Sequence, residues 1–185
     1  PPLLTPSSPQ QGQLGLGDFK DQLLPQRVDA LANERVLTIS AGHAHSLVLT
    51  AHGAVHSFGS SGADDNGSGA LGHGDGGSFY LPSPRRIDAL RGVPICCVVA
   101  GHRVSLAVSS HGAVWGWGYG KNEILGLDLQ GDQHVPKEYS SLHLNGWEPP
   151  HVTGIACCDF CSRRAGAKSG ADTARVRHAH TPNLN

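Results

Sequence analysis

The residues AGHAHSLVLTAHGAVHSFGS, positions 41–60, return 59 positions later as AGHRVSLAVSSHGAVWGWGY, positions 100–119, with ten of the twenty letters unchanged. A chain that repeats itself at this distance is built from stacked supersecondary units, each too small to bury its own apolar face. Reading upstream lengthens the match. GQLGLGD (12–18) leads through PQRVDAL (25–31) to VLTISAG (36–42), and GALGHGD (69–75) leads through PRRIDAL (84–90) to VPICCVVAG (93–101). A third copy begins at EILGLD (123–128), passes VPKEY (135–139) and reaches VTGIACCDFCS (152–162).

Within one unit the physics points to β structure. Residues 45–50 and 54–58 are short and rich in β-formers, and AHG lies between them, with SHG at 110–112 in the next copy. Glycine at 53 and 112 supplies the positive φ that a tight antiparallel reversal needs. The small pairs Ala41-Gly42 and Ala100-Gly101 let one backbone pass close to another. LGLGD and LGHGD fit tight loops whose aspartate bonds the backbone ahead. Prolines 25, 84 and 136 precede apolar runs, as the first residue of a strand does. No stretch carries a helical period. Cys96 and Cys97, inside an apolar run, read as small core residues on opposite faces of a strand.

About four short strands per unit is the pattern of a β-propeller blade, which hides its edges by radial repetition. The series GQLGLGD…P…V…L…ISAG…HSLVLT…G.V…G resembles the repeat of the regulator of chromosome condensation family, over about residues 12–162. That resemblance implies a seven-bladed propeller, of which this chain holds about two and a half four-stranded blades. The expectation is an all-β, partial and open propeller. It comprises a disordered segment 1–11, repeats at about 12–52, 53–111 and 112–162, and a basic disordered tail 163–185.

The third copy departs from the pattern. It has Cys158 where Gly42 and Gly101 stand, Cys161 where His45 stands, and RRAGAKSG where LVLT should follow. Arg163 and Arg164 would put charge where apolar side chains belong. The ring therefore cannot close on this sequence, and its open edges carry a risk of aggregation. The absence of methionine and the abrupt start PPLLTPSSPQQ read as a piece of a longer polypeptide.

Composition narrows the function classes. Twenty-five glycines, few aromatics and a net charge of -1 suit a turn-rich β protein. No apolar run reaches the ~20 residues of a membrane span, and the expected location is cytoplasm or nucleus. Five cysteines, an odd number, argue against a disulfide framework. Through Asp159 there are nine Lys/Arg against fourteen Asp/Glu, whereas the tail holds five basic residues against Asp172. Such a tail reads as a solvated end, with nucleic-acid binding or a nuclear address as the alternative.

Several motifs fail on their context. Gly72-x-Gly74-x-x-Gly77 matches a dinucleotide fingerprint, but SFYLPSP follows where a helix is required. GWGYGKN (116–122) lacks the first glycine and the hydroxyl residue of a phosphate loop. Cys158-x-x-Cys161 has no second pair at zinc-finger spacing. His43-x-His45 reads as loop and packing residues, since His43 recurs as His102 while His45 does not recur. No nucleophile constellation is present, so the chain is expected to be no enzyme, with no catalytic, metal or cofactor residues. A light-sensing branch that the repeat also resembles carries tryptophan in the segments matching GHAHS, GHRVS and CDFCS; none of these carries it here, so the resemblance does not imply light sensing.

The expectation is a protein-interaction module that docks partners through propeller loops. His43, His102, Arg103 and Asp159 share one place in successive units and are the candidate contacts, against the alternative that they are solvated turn residues. The resemblance also implies a second function, nucleotide exchange on a small GTPase with chromatin association. A third alternative is a truncated fragment with no function of its own.

Overall fold

A computed structural model of the chain describes residues 11–62, 68–74, 79–120 and 131–138, with the backbone of strands at 152–156 and 175–178. The described residues form no α-helix. The strands are β1 (Val36–Ala41), β2 (His45–Thr50), β3 (Val55–Ser60), β4 (Tyr80–Arg86), β5 (Ile95–Ala100), β6 (Val104–Ser109), β7 (Val114–Gly118), β8 (Gln133–Glu138), β9 (Val152–Ala156) and β10 (Arg175–His178). They make two antiparallel four-stranded sheets in simple meander order, β1-β2-β3-β4 and β5-β6-β7-β8, and a third, two-stranded sheet of β9 and β10. This is the open, all-β architecture of successive propeller blades.

The expected hairpins are present. The Gly53 amide donates to Thr50 O at 2.9 Å and the Thr50 amide to Ala54 O at 2.9 Å, closing the β2–β3 turn; Ser109, Gly112 and Ala113 repeat it in the second sheet. Each sheet straddles two copies of the sequence repeat. Copy 12–52 ends after β1 and β2, and copy 53–111 opens with β3 and β4 of that same sheet.

Two local expectations are corrected. Pro84 and Pro136 lie inside β4 and β8 rather than opening them. Both strands are at sheet edges, and their pairing with β3 and β7 shifts register there, so a residue without an N–H is tolerated. Cys96 is exposed and Cys97 half-buried, because the β5–β6 register shifts between Ile95 and Cys97 and turns Cys96 outward. Of the segment 163–185, the described residues are Arg175–His178, which pair antiparallel with β9 as β10.

The core lies between the sheets. Leu47, Leu49 and Val55 of the first sheet pack with Ile95, Val98 and Trp117 of the second. The Asp88–Leu90 turn adds Leu90 beneath them, and Ile87 before it. Each such side chain, fully buried, contributes about 1.5–3 kcal/mol, which neither sheet could gain alone.

The sheets also touch through backbone. The His43 amide donates to Gly101 O at 3.2 Å, and the Ala100 amide to Ser40 Oγ at 2.9 Å. A Cβ on Gly42 would collide with the Gly101 carbonyl oxygen and lie 2.8 Å from His45 Cε1. Gly42→Ala must therefore push the sheets apart. Urea unfolding should show a loss of about 2 kcal/mol or more; an unchanged midpoint would mean that this approach is not needed.

Candidate functional site

The glycine loops join one sheet to the next. Residues 68–74 belong to the connection between β3 and β4, yet they rest on the second sheet. The Gly74 amide donates to His134 O of β8 at 2.8 Å, and a Cβ on Gly72 would stand 2.9 Å from Trp117 Nε1 of β7. The earlier loop does the same to the first sheet. The Gly17 amide donates to Pro82 O at 2.9 Å, and a Cβ on Gly15 would stand 2.9 Å from the Phe58 ring. Glycine is required at 15 and 72 because the backbone lies flat against an aromatic ring, at positive φ. The aspartate ahead of the turn acts as its sequence implied, with Asp18 Oδ1 accepting from the Lys20 amide at 3.1 Å.

Two histidine–serine relays anchor residues 70 and 71. Ser105 Oγ donates to Ala70 O at 2.8 Å, and Trp117 Nε1 donates to the same oxygen at 2.9 Å. With its proton so committed, Ser105 Oγ accepts from His45 Nε2, 2.9 Å away. On the opposite side Ser57 Oγ donates to Leu71 O at 2.7 Å and accepts from His73 Nε2 at 2.9 Å. The loop is thus held by a first-sheet serine on one carbonyl and a second-sheet serine on the next. Ser46, one repeat before Ser105, donates to Gln13 O at 3.2 Å.

This geometry fixes His45 as the neutral Nε2–H tautomer and leaves Nδ1 buried without a partner. Burial pushes its pKa down to about 4, with His102 and His43 lowering it further. His73 is also held down to about 4, by burial first and Arg85 second, against the opposing pull of Asp88. Neither imidazole is placed for acid–base work at neutral pH; both act as hydrogen-bond donors inside the frame.

The candidate contact residues lie on the turns between first and second strands. His43 follows β1 and His102 follows β5, and their rings come together with centroids 4.3 Å apart and planes tilted by 39°. Next to them the Arg103 guanidinium sits 5.5 Å from the centroid of the Tyr119 ring, whose amide donates to Arg103 O at 2.9 Å. The structure therefore brings three of the four together at the junction of two sheets, and Asp159 lies outside the described residues. Among the described residues no group of three or more His, Cys, Asp or Glu is placed to hold a metal ion. No described helix is long and apolar enough to cross a membrane.

His73, Ser57 and Ser105 carry roles that the sequence reading missed. His73 lay inside the rejected dinucleotide fingerprint. The available signal was the 59-residue return of Ser46 as Ser105 beside glycines that recur in the same two copies, which marks a hydroxyl with a fixed local acceptor.

Sheets joined in series by such loops define a repeat-built β-propeller. The regulator of chromosome condensation (RCC1) repeat model matches residues 9–49 and 111–162, and the chain belongs to that family. It is 33% identical over 142 residues to the ultraviolet-B receptor UVR8 of Arabidopsis thaliana, covering 76% of this chain and 30% of that protein. It is 36% identical over 145 residues to the human E3 ubiquitin-protein ligase HERC2, covering 77% of this chain and 3% of the ligase. Among solved structures, human WBSCR16 superposes with a TM-score of 0.59 at 26% identity, over 80% of this chain and 36% of that one. Prp20p of Saccharomyces cerevisiae, described with its binding to Gsp1p and histones, superposes with a TM-score of 0.55 at 27% identity, over 72% and 33%. The chain thus spans little more than a third, at most, of these relatives.

Both relays titrate below their ordinary value of 6.5. Their stabilisation is complete above pH 6.5 and is lost as pH falls towards 4, because the unfolded chain binds protons that the folded one refuses. The His45 contribution is of the order of 3 kcal/mol. Urea midpoints taken between pH 7 and 4 should fall steeply, and His45→Gln, which keeps a donor but cannot titrate, should flatten the curve. A parallel curve for the variant would rule His45 out as the source.

Proposed function

We propose that this chain is a protein-docking module whose partner contacts the turn surface made by His43, His102 and Arg103, with Asp159 as the corresponding position of the third repeat. The observation that carries this reading is the convergence of His43 and His102, one from each sheet, to 4.3 Å beside Arg103. The turn keeps histidine in the first two units but varies beside it, Ala44 against Arg103, and carries Asp159 at the histidine's place in the third, while the frame beneath repeats. That is how a rigid repeat presents a specific surface. The partner is a protein, in cytoplasm or nucleus, and the module itself performs no bond-making chemistry.

A second reading, nucleotide exchange on a small GTPase with attachment to chromatin, draws on the likeness to Prp20p and its binding to Gsp1p and histones. Exchange requires tighter binding of the nucleotide-free GTPase than of the loaded form. The roles of UVR8 and HERC2 are less readily extended: Trp115 and Trp117 lie within β7 rather than in the turns, and the match to HERC2 covers 3% of that ligase.

The two readings separate in one experiment. The chain, immobilised, is tested for binding to a panel of small GTPases and to histones, and for release of bound fluorescent nucleotide. Docking predicts binding that falls about 10-fold or more on combined His43→Ala and Arg103→Ala substitution, with the urea midpoint unchanged. Accelerated nucleotide release would establish the exchange reading, and binding that is indifferent to both substitutions would remove the turn surface from consideration.

A further inference from the structure

The edge strand β4 carries a serine between two prolines, Pro82-Ser83-Pro84, with Arg85 and Arg86 directly after them. The ladder with β3 breaks at this point. Ser57 pairs with Arg85 and Gly59 with Leu81, so Pro82, Ser83 and Pro84 together oppose Phe58 alone. The three residues bulge from the edge of the sheet, and neither proline has an N–H to return to it. The Gly17 amide fixes the bulge through Pro82 O at 2.9 Å, and Ser83 Oγ lies 3.5 Å from where a Cβ on Gly17 would stand. Ser46, Ser57 and Ser105 are buried, with their hydroxyls given to backbone oxygens. Ser83 is exposed, and so are Arg85 and Arg86.

That exposure is a property of the position within a blade. The second sheet has the first packed against it, and its edge strand β8 bulges in the same way. Gly116 pairs with Lys137 and Gly118 with Gln133, and the Gly74 amide donates to His134 O as Gly17 does to Pro82 O. Val135, Lys137 and Glu138 thus stand where Ser83, Arg85 and Arg86 stand, and all three are exposed, Val135 at 47%. The bulge is common to both sheets, and the first fills it with a hydroxyl followed by two cations.

We propose that Ser83 is a phosphorylation site for a proline-directed serine kinase using ATP. In the transfer the Ser83 Oγ–P bond forms as the bond between the γ-phosphorus and the bridging oxygen breaks. ADP leaves, and the hydroxyl proton passes to a carboxylate base of the kinase. Pro84 suits a kinase pocket that offers the residue after the serine no N–H acceptor, and Arg85 and Arg86 suit an acidic rim. Thr5, Ser8 and Thr181 also precede proline, but none has Lys or Arg within the next three residues. The product adds about -1.5 to -2 charges to the outer edge of the blade, beside two guanidiniums. β4 holds none of the turn residues, so the site is independent of the docking surface.

The test incubates the 185-residue chain with a purified cyclin-dependent kinase, magnesium and ATP, and locates phosphate by tandem mass spectrometry. Ser83 should be modified faster than Thr5, Ser8 or Thr181. Arg85→Gln with Arg86→Gln should slow it by about 10-fold or more. Ser83→Ala should abolish it and leave the urea midpoint unchanged. A synthetic peptide of residues 79–90, treated alongside, reports whether the folded edge admits the kinase. Modification of the chain at a rate within about 10-fold of the peptide's supports the proposal. A peptide that is modified while Ser83 in the chain is not overturns it, as does failure of both. A rate indifferent to the two arginines, or phosphate at the other three positions in preference to Ser83, overturns it as well.

Discussion

The carbonyl oxygen of Ala70 is the point on which the assembly of the two sheets turns. It belongs to a connection of the first sheet and accepts from Ser105 and Trp117 of the second, while His45 of the first sheet donates to that same serine. The chain thus passes from one sheet to the other and back through three hydrogen bonds, all buried. In a medium that screens so little, leaving any of these groups unpaired costs about 1–3 kcal/mol. The aromatic ring at 117 excludes water from the site and demands glycine at 72 above it. A simpler version seats the earlier loop on the first sheet, with Ser46 on the Gln13 carbonyl and Gly15 against the Phe58 ring, which has no indole N–H to donate.

Much of this frame could be read from letters alone. The 59-residue return of AGH…SL…HGAV announces equal units, and the alternation around AHG and SHG announces hairpins. What could not be read depends on sheet partners that lie far apart in sequence. Prolines 84 and 136 look like strand openers until one knows that β4 and β8 are edges with a register shift. Cys96 looks like core until the bulge beside it turns it outward. The rings of His43 and His102 approach only because the two turns pack side by side, which spacing along the chain does not specify.

The division of labour between frame and turns also has a physical basis. Histidines 45 and 73 are used as neutral donors in the interior, where burial suppresses their charge. The histidines at 43 and 102 occupy turns, where change of side chain costs the frame little. Turn side chains can therefore differ from one unit to the next without loss of the shared sheets.

Sheet and sequence copy are out of phase, for β1 and β2 close one copy while β3 and β4 open the next. Tandem duplication or excision of one full period therefore splices half of one blade to half of another, and the splice falls in a turn. The hybrid inherits compatible strands on both sides, together with the glycine loop that the following sheet awaits. Unit number in such a lineage is free to drift by recombination, because the joint is already built into every blade.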